Sequence, residues 1–304
     1  MAESIKTINI GDKEYPESLR EIPNPPKALY YRGSLPRAEA RGFGIVGTRR
    51  YSIYGKQVAF EIAGDLAEAG LTIVSGLAPG IDTFAHQATL ERKGKTIAVL
   101  GTGVDEGSIY PKSNLKLSRE IVENGGCLIS EYPPGTRGAQ FTFPQRNRII
   151  SGLSVGILVV EAKPPPPNFW RGGKEKSGSG SLITARHAFE QGRKVFAIPG
   201  PIYSSNSRGC HTLIKRGAIL VENGNDILTE LNLTGIKIIE PGEITGSTEE
   251  ECLILRALTE GSLYIDKVIE KTKLDASAVS SALAILEIKG KIKSLGGNVY
   301  ALSR

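Results

Sequence analysis

An α/β fold with a doubly wound, mostly parallel sheet, followed by a small domain of helices and a hairpin, is predicted by three features. From Phe43 to Val221, short Val- and Ile-rich runs alternate with amphipathic stretches, the pattern of parallel strands joined by crossover helices. Most of those runs end in a glycine-bearing loop. After Ser247 the pattern changes to three short helical stretches and a hairpin turning at Gly296-Gly297.

Taken in order, residues 1–40 read as an irregular lead-in packed on the core. Tyr15–Arg20 starts a short helix that Pro23, Pro25 and Pro26 stop, and Ala28–Gly33 is a strand. The sheet domain spans residues 41–235. Its strands are expected at 43–46, 71–75, 96–100, 126–130, 155–161, 194–198 and 218–221. Helices are expected at 55–69, 81–93, 112–123, 147–152, 181–191 and 211–216. In the first of these helices Val58, Ile62, Leu66 and Ala69 recur at spacings of three and four. Residues 236–247, with Pro241, Gly242 and Gly246, form a linker. Residues 248–304 carry helices at 249–258, 264–272 and 276–289 and a hairpin at 292–295 and 298–301. Ser247 or Thr248 caps the first of these helices and Asp275 the third. Three helices and a hairpin make a winged-helix arrangement, which often reads duplex DNA through its third helix. Here acidic and basic side chains balance and the third helix is mostly Ala, Ser, Val and Leu, so protein docking is an equal expectation.

Composition narrows the function classes. The 304 residues, 40% hydrophobic and 23% charged, suit a globular protein with a sizeable core, and a net charge of +6 leans towards polyanionic partners. No apolar run approaches a membrane span, and the N-terminal residues lack the apolar core of a signal peptide. Cys127, Cys210 and Cys252 are widely spaced and odd in number, which argues against a disulfide framework or a zinc site and for a reduced, cytoplasmic location. No metal and no cofactor are expected.

In a doubly wound sheet ligands sit beyond the carboxyl ends of the strands. The loop Val46-Gly47-Thr48-Arg49-Arg50 follows the first strand of the domain and leads into a helix, where exposed N–H groups and the helix dipole favour an anion. A purely structural glycine turn is the alternative, and no dinucleotide fingerprint is present. Further rim loops carry Ser75–Asp82, Gly101–Lys112, Ser130–Arg148 and Ser177–Thr184. Arg49, Lys112, Arg146 and Arg148 all fall in rim loops, where charged residues can meet successive phosphates, and Phe141 and Phe143 beside Arg146 pair stacking platform with cation as single strands favour. The competing readings are core packing for Phe143 and structural ion pairs with Glu131 or Glu161 for Arg146 and Arg148. The stretch Lys163–Lys176, with Pro164–Pro167 and the only tryptophan, Trp170, has the composition of a linker or flap. Catalytic signatures are sparse: no nucleophile elbow, P-loop or zinc spacing occurs. Asp82 and His86 share one helical face as a core or capping pair, and Glu131 and Glu161, both at strand ends on the rim, are a candidate carboxylate pair whose alternative role is to orient arginines or bond loop N–H groups.

The series Val46-Gly47-Thr48-Arg49, Ser75-Gly76-Leu77-Ala78-Pro79-Gly80-Ile81-Asp82, Ala85-His86, Tyr110-Pro111-Lys112 and Ser130-Glu131-Tyr132-Pro133 resembles the DNA-processing protein A (Smf) family. So do Phe143-Pro144-Gln145-Arg146-Asn147-Arg148-Ile149-Ile150, Val160-Glu161-Ala162, Ser179-Gly180-Ser181-Leu182-Ile183-Thr184-Ala185 and Ile198-Pro199-Gly200. The likeness runs from Tyr15 to Leu231, and the tail matches the family's winged-helix extension. The resemblance implies an extended Rossmann-like domain that binds single-stranded DNA and loads the recombinase RecA onto it in natural transformation, as a homodimer with no established catalytic reaction. It assigns DNA binding to Arg49 and Lys112, and the remaining candidates are Gly47, Thr48, Phe143, Arg146, Arg148, Ser179, Gly180 and Ser181. Two departures stand out. Pro79 replaces a usual arginine, and the Lys163–Lys176 excursion separates Glu-Ala from Ser-Gly-Ser, which the family joins within a few residues. An N-terminal helical domain found in some relatives is not expected here. The alternative function is a nucleotide-binding or nucleotide-hydrolysing enzyme working through Glu131 or Glu161; a third is a pure adaptor whose winged helix is its partner surface.

Overall fold

A computed structural model of the protein describes residues 4–35, 41–167, 169–171, 179–233, 246–259 and 261–302. Contacts divide the chain into two units, Met1–Ile236 and Lys237–Arg304. Most of the expected linker, and residues 168 and 172–176 of the proline-rich excursion, lie outside the described residues.

In the first unit the elements run β1 (Lys6–Asn9), α1 (Glu17–Arg20), β2 (Ala28–Gly33), β3 (Gly42–Val46), α2 (Ile53–Glu68), β4 (Thr72–Ser75), α3 (Ile81–Glu91), β5 (Thr96–Leu100), α4 (Leu115–Glu123) and β6 (Cys127–Ser130). They continue with α5 (Thr142–Gly152), β7 (Gly156–Val159), α6 (Gly180–Glu190), β8 (Lys194–Ala197), α7 (Arg208–Ile214), β9 (Ile219–Leu220) and α8 (Gly224–Glu230). The nine strands form one sheet in the order β1-β2-β6-β5-β4-β3-β7-β8-β9. It is parallel from β6 to β9, with β2 antiparallel to β6 and β1 antiparallel to β2.

The apolar runs read as strands because they are buried on both faces, as parallel sheets require. Along β5 successive side chains go to opposite layers. Ile97 and Val99 join a core with Leu19, Ile149, Leu182 and Leu213 from α1, α5, α6 and α7, whereas Ala98 and Leu100 join Leu117 and Ile121 of α4. Chain order reverses at β3, which lies between β4 and β7. That switch point opens a crevice at the carboxyl ends of β3 and β7.

Several elements depart from expectation. The lead-in contains a real strand, β1, which shows only one buried side chain, Ile8, in four residues and so carries no periodic signal. Helix α5 starts at Thr142 rather than Asn147. Pro144 reads as a breaker, but it sits in the first helical turn, where no intrahelical N–H bond is lost. Helix α8 is hidden behind an Asn-Gly pair that reads as a turn; Asn223 is its cap, accepting the Asp226 N–H at 3.0 Å.

The second unit holds α9 (Glu249–Leu258), β10 (Leu263–Tyr264), α10 (Ile265–Thr272), α11 (Ala276–Ile288), β11 (Ile292–Gly296) and β12 (Val299–Leu302), with strand order β10-β12-β11. This is the winged-helix arrangement. Its core is Ile254, Leu255, Leu258, Val268, Val279, Leu283 and Leu286. Thr248 Oγ1 accepts the Glu251 N–H at the start of α9, and Asp275 Oδ1 accepts the Ala278 N–H at the start of α11. Among the described residues no helix is long and apolar enough to cross a membrane.

Candidate nucleic-acid interface

A groove of about 1740 Å³ lies along the carboxyl ends of the strands. Its wall is made by the loops after β3, β4, β5, β6 and β7 and by the first turn of α6.

The loop after β3 is fixed from below. Glu161, only 3% exposed, accepts the Ser52 N–H (3.0 Å) and hydroxyl (2.6 Å), and its backbone carbonyl accepts the Thr48 N–H (2.8 Å). Ser52 in turn caps α2 by accepting the Gly55 N–H at 3.0 Å. Asn206 donates to the Arg50 carbonyl at 2.9 Å. Gly80, at φ +90°, passes so close that a Cβ there would sit 2.5 Å from the Thr48 carbonyl oxygen, so the loops after β3 and β4 interlock. The result presents Arg49 outwards. Its guanidinium is exposed and makes no hydrogen bond or ion pair among the described residues, while its charge is felt at Asp82 and Arg146. Arg50 and Lys163, also exposed, line the same groove.

Arg146 is in the groove floor and 4% exposed. Its Nη1 donates to the carbonyl oxygens of Gly76 (2.7 Å) and Val99. Burial pushes its pKa down to about 10, partly offset by the Asp82 carboxylate, so it is charged at neutral pH. Asp82, pushed up by burial and held back by Arg146, accepts the Gly76 N–H at 3.1 Å. Arg146 therefore binds strand ends and supplies positive potential from beneath. Neither carboxylate of the competing ion-pair reading, Glu131 or Glu161, is its hydrogen-bond partner.

Arg148, two residues on, points elsewhere. It makes a bidentate pair with Glu131 (2.7 Å for each bond) and donates to the carbonyls of Asn24 and Gln145. Burial opposes its charge, but Glu131 outweighs burial and raises its pKa. It does not line the groove. Lys112 does not either: its ammonium donates to the carbonyls of Glu106 (3.1 Å) and Gly107 (2.8 Å). The structure thus brings Arg49, Gly47, Thr48, Arg146, Phe143, Ser179, Gly180 and Ser181 to one groove and leaves Lys112 and Arg148 outside it.

Phe143 is half-buried and packs on Tyr110 with ring centroids 5.6 Å apart. Tyr110 is 52% exposed and Phe141 62% exposed, and both face the groove. Tyr110 is a groove residue that the sequence reading passes over, although it immediately precedes Pro111-Lys112 in a rim loop. On the other side α6 begins. Ser179 Oγ and Ser181 Oγ bond each other at 2.8 Å, and Asn147 Nδ2 steadies the Gly180 carbonyl at 3.0 Å. The first N–H groups of this eleven-residue helix border the groove, a natural seat for phosphate.

Comparison with known proteins agrees with this architecture. Residues 6–232 match the family described as DNA recombination-mediator protein A, and residues 240–298 match the DprA winged helix domain. The DNA processing protein DprA of Bacillus subtilis is 42% identical over 240 residues, covering 79% of this chain and 75% of that protein. The solved structure of DNA processing protein A from Streptococcus pneumoniae superposes with a TM-score of 0.66 at 44% identity, covering 74% of each chain. That of Helicobacter pylori, described for its single-stranded DNA binding mode, superposes with a TM-score of 0.62 at 28% identity, covering 77% of this chain and 99% of that one. With a match over most of its length and relatives above 40% identity, the chain belongs to the DNA recombination-mediator protein A family.

Proposed function

We propose that the protein binds single-stranded DNA along the groove and loads the RecA recombinase onto it, acting in the cytoplasm as a homodimer during natural transformation. The observation that carries the reading is the groove: Arg49, unpaired among the described residues, shares one rim with a helix N-terminus and with exposed Tyr110 packed on Phe143. Arg49, aided by Arg50 and Lys163, takes backbone phosphates. The N–H groups of Gly180 and Ser181 take another, and Tyr110, Phe141 and Phe143 offer ring faces to bases. Few side chains of the groove are placed to read base edges, so binding has little sequence preference. Support also comes from the Helicobacter pylori relative, whose described property is single-strand binding. The nucleotide-hydrolase alternative gains nothing: Glu161 is buried under the Arg49 loop and Glu131 is paired with Arg148. The test of loading is the RecA ATPase on a single strand coated with single-strand-binding protein. The wild-type chain shortens the lag and Arg49→Ala does not; a wild-type chain without effect would sink the loading claim.

A further inference from the structure

The Lys163–Lys176 excursion follows β7, and its first residues, Lys163–Pro166, are built into the groove. Pro164, Pro165 and Pro166 line the wall directly after β7. Both ends of the run are fixed. At its start Ala162 N–H donates to the Asn206 carbonyl (2.7 Å) and Gly209 N–H to the Ala162 carbonyl (2.9 Å). At its end Phe169 N–H donates to the Pro166 carbonyl (3.1 Å), and the Phe169 ring is buried edge-on to Trp170 at 4.8 Å. The Arg186 guanidinium of α6 lies over Phe169 at 5.2 Å, and that of Arg216, beyond α7, over Trp170 at 4.5 Å. Between these anchors Pro164, Pro165 and Pro166 have ring-fixed φ angles that make the stretch a stiff rod, and Pro167 enters the turn that the Phe169 N–H closes.

The chemistry of that rod is one-sided. Prolines have no backbone N–H to donate to a phosphate, and their carbonyl oxygens repel one. Their rings are flat-sided and apolar. Apart from the Lys163 ammonium at the foot of the rod, the groove's donors lie on other stretches of its wall, at Arg49, Arg50 and the start of α6. A single strand also has two edges, one of phosphates and one of bases. Resting on the single-strand reading above, we infer that the Pro164–Pro166 rod is a base-packing wall: nucleobases lie against its rings while the phosphates run on the Arg49 and α6 side.

The test is a cycle on the full chain. Pro164→Gly, Pro165→Gly and Pro166→Gly are combined, and binding is measured to oligo-dT and to an abasic oligonucleotide of the same length. The expected result is binding to oligo-dT weaker by about fivefold to tenfold, the lower part of what stacking one base contributes, with abasic binding and the salt slope unchanged. Equal weakening for both ligands, or none for either, overturns the base-packing wall; the groove reading then still stands if Arg49→Ala weakens both. If Arg49→Ala also leaves both unchanged, the groove reading falls and the wall with it. Melting curves check folding. Should the triple variant not fold, Pro165→Ala alone is expected to weaken oligo-dT about twofold to threefold and abasic DNA not at all, and equal binding of oligo-dT overturns the inference.

Discussion

Replacing Arg49 by alanine separates binding from folding more cleanly than any other change at this site. The side chain is exposed and has no hydrogen-bond or ion-pair partner among the described residues, so its removal leaves no buried charge behind. Stability should therefore stay within about 0.5 kcal/mol of wild type. Binding is another matter. A hydrogen-bonded contact from a guanidinium to a phosphate is worth about 1–3 kcal/mol, or roughly 5- to 150-fold in Kd. Arg49 also adds to the potential over Asp82 and Arg146, which the variant loses. One fewer neutralised phosphate lowers the slope of log K against log salt by about 0.7 for a single strand. The assay is an anisotropy titration of labelled oligo-dT at four salt concentrations, alongside a thermal melt. Unchanged Kd and slope would refute the role of Arg49, and a large fall in melting temperature would refute the structural premise.

Three further outcomes are expected. Arg148→Ala breaks the bidentate Glu131 pair, whose side chains are 15% and 18% exposed, and should cost about 2 kcal/mol, lowering Tm by roughly 4–8 °C with the DNA salt slope unchanged; a changed slope with unchanged Tm contradicts its placement. Tyr110→Ala removes the exposed half of the aromatic pair on Phe143 and should weaken oligo-dT by about 1 kcal/mol but abasic DNA hardly at all, as competition titrations would reveal. His86 is buried against Thr96, and burial, reinforced by Arg146, pushes its pKa down to about 3. A base depressed on folding contributes stability in full above its unfolded pKa of about 6.5 and loses it as pH falls towards 3. Urea unfolding should therefore show wild type losing about 2 kcal/mol from this group between pH 7 and pH 5. His86→Gln should lack that loss, and parallel stability curves for the two proteins would contradict it.

The parallel sheet was legible because each central strand is a short run buried on both faces, and parallel order alone gathers the loops at the strand ends. That is why Gly47–Arg49 and Ser179–Ser181, far apart in the chain, were expected on one rim and share one groove. Charge did not disclose its own destination. Arg146 and Arg148 are two apart on α5, and such positions do not share a helix face: one reaches under the ends of β4 and β5, the other reaches Glu131. Lys112 has the right charge and loop, yet backbone carbonyls of its own loop hold its ammonium. No one-dimensional pattern distinguishes a lysine facing solvent from one folded back on its loop. The excursion after Ala162 carried a composition that suits a linker, and only its anchoring by Phe169 and Trp170 makes its first half a wall.

Central to the account is a groove made for a single strand rather than for a duplex or a mononucleotide. The direct measurement is fluorescence anisotropy of labelled oligo-dT bound to the full chain, with unlabelled oligo-dT, duplex DNA and ATP as competitors at low and moderate salt. The account predicts salt-sensitive binding that unlabelled oligo-dT displaces and that duplex and ATP do not. Absence of oligo-dT binding, or its displacement by ATP at equal concentration, would contradict it.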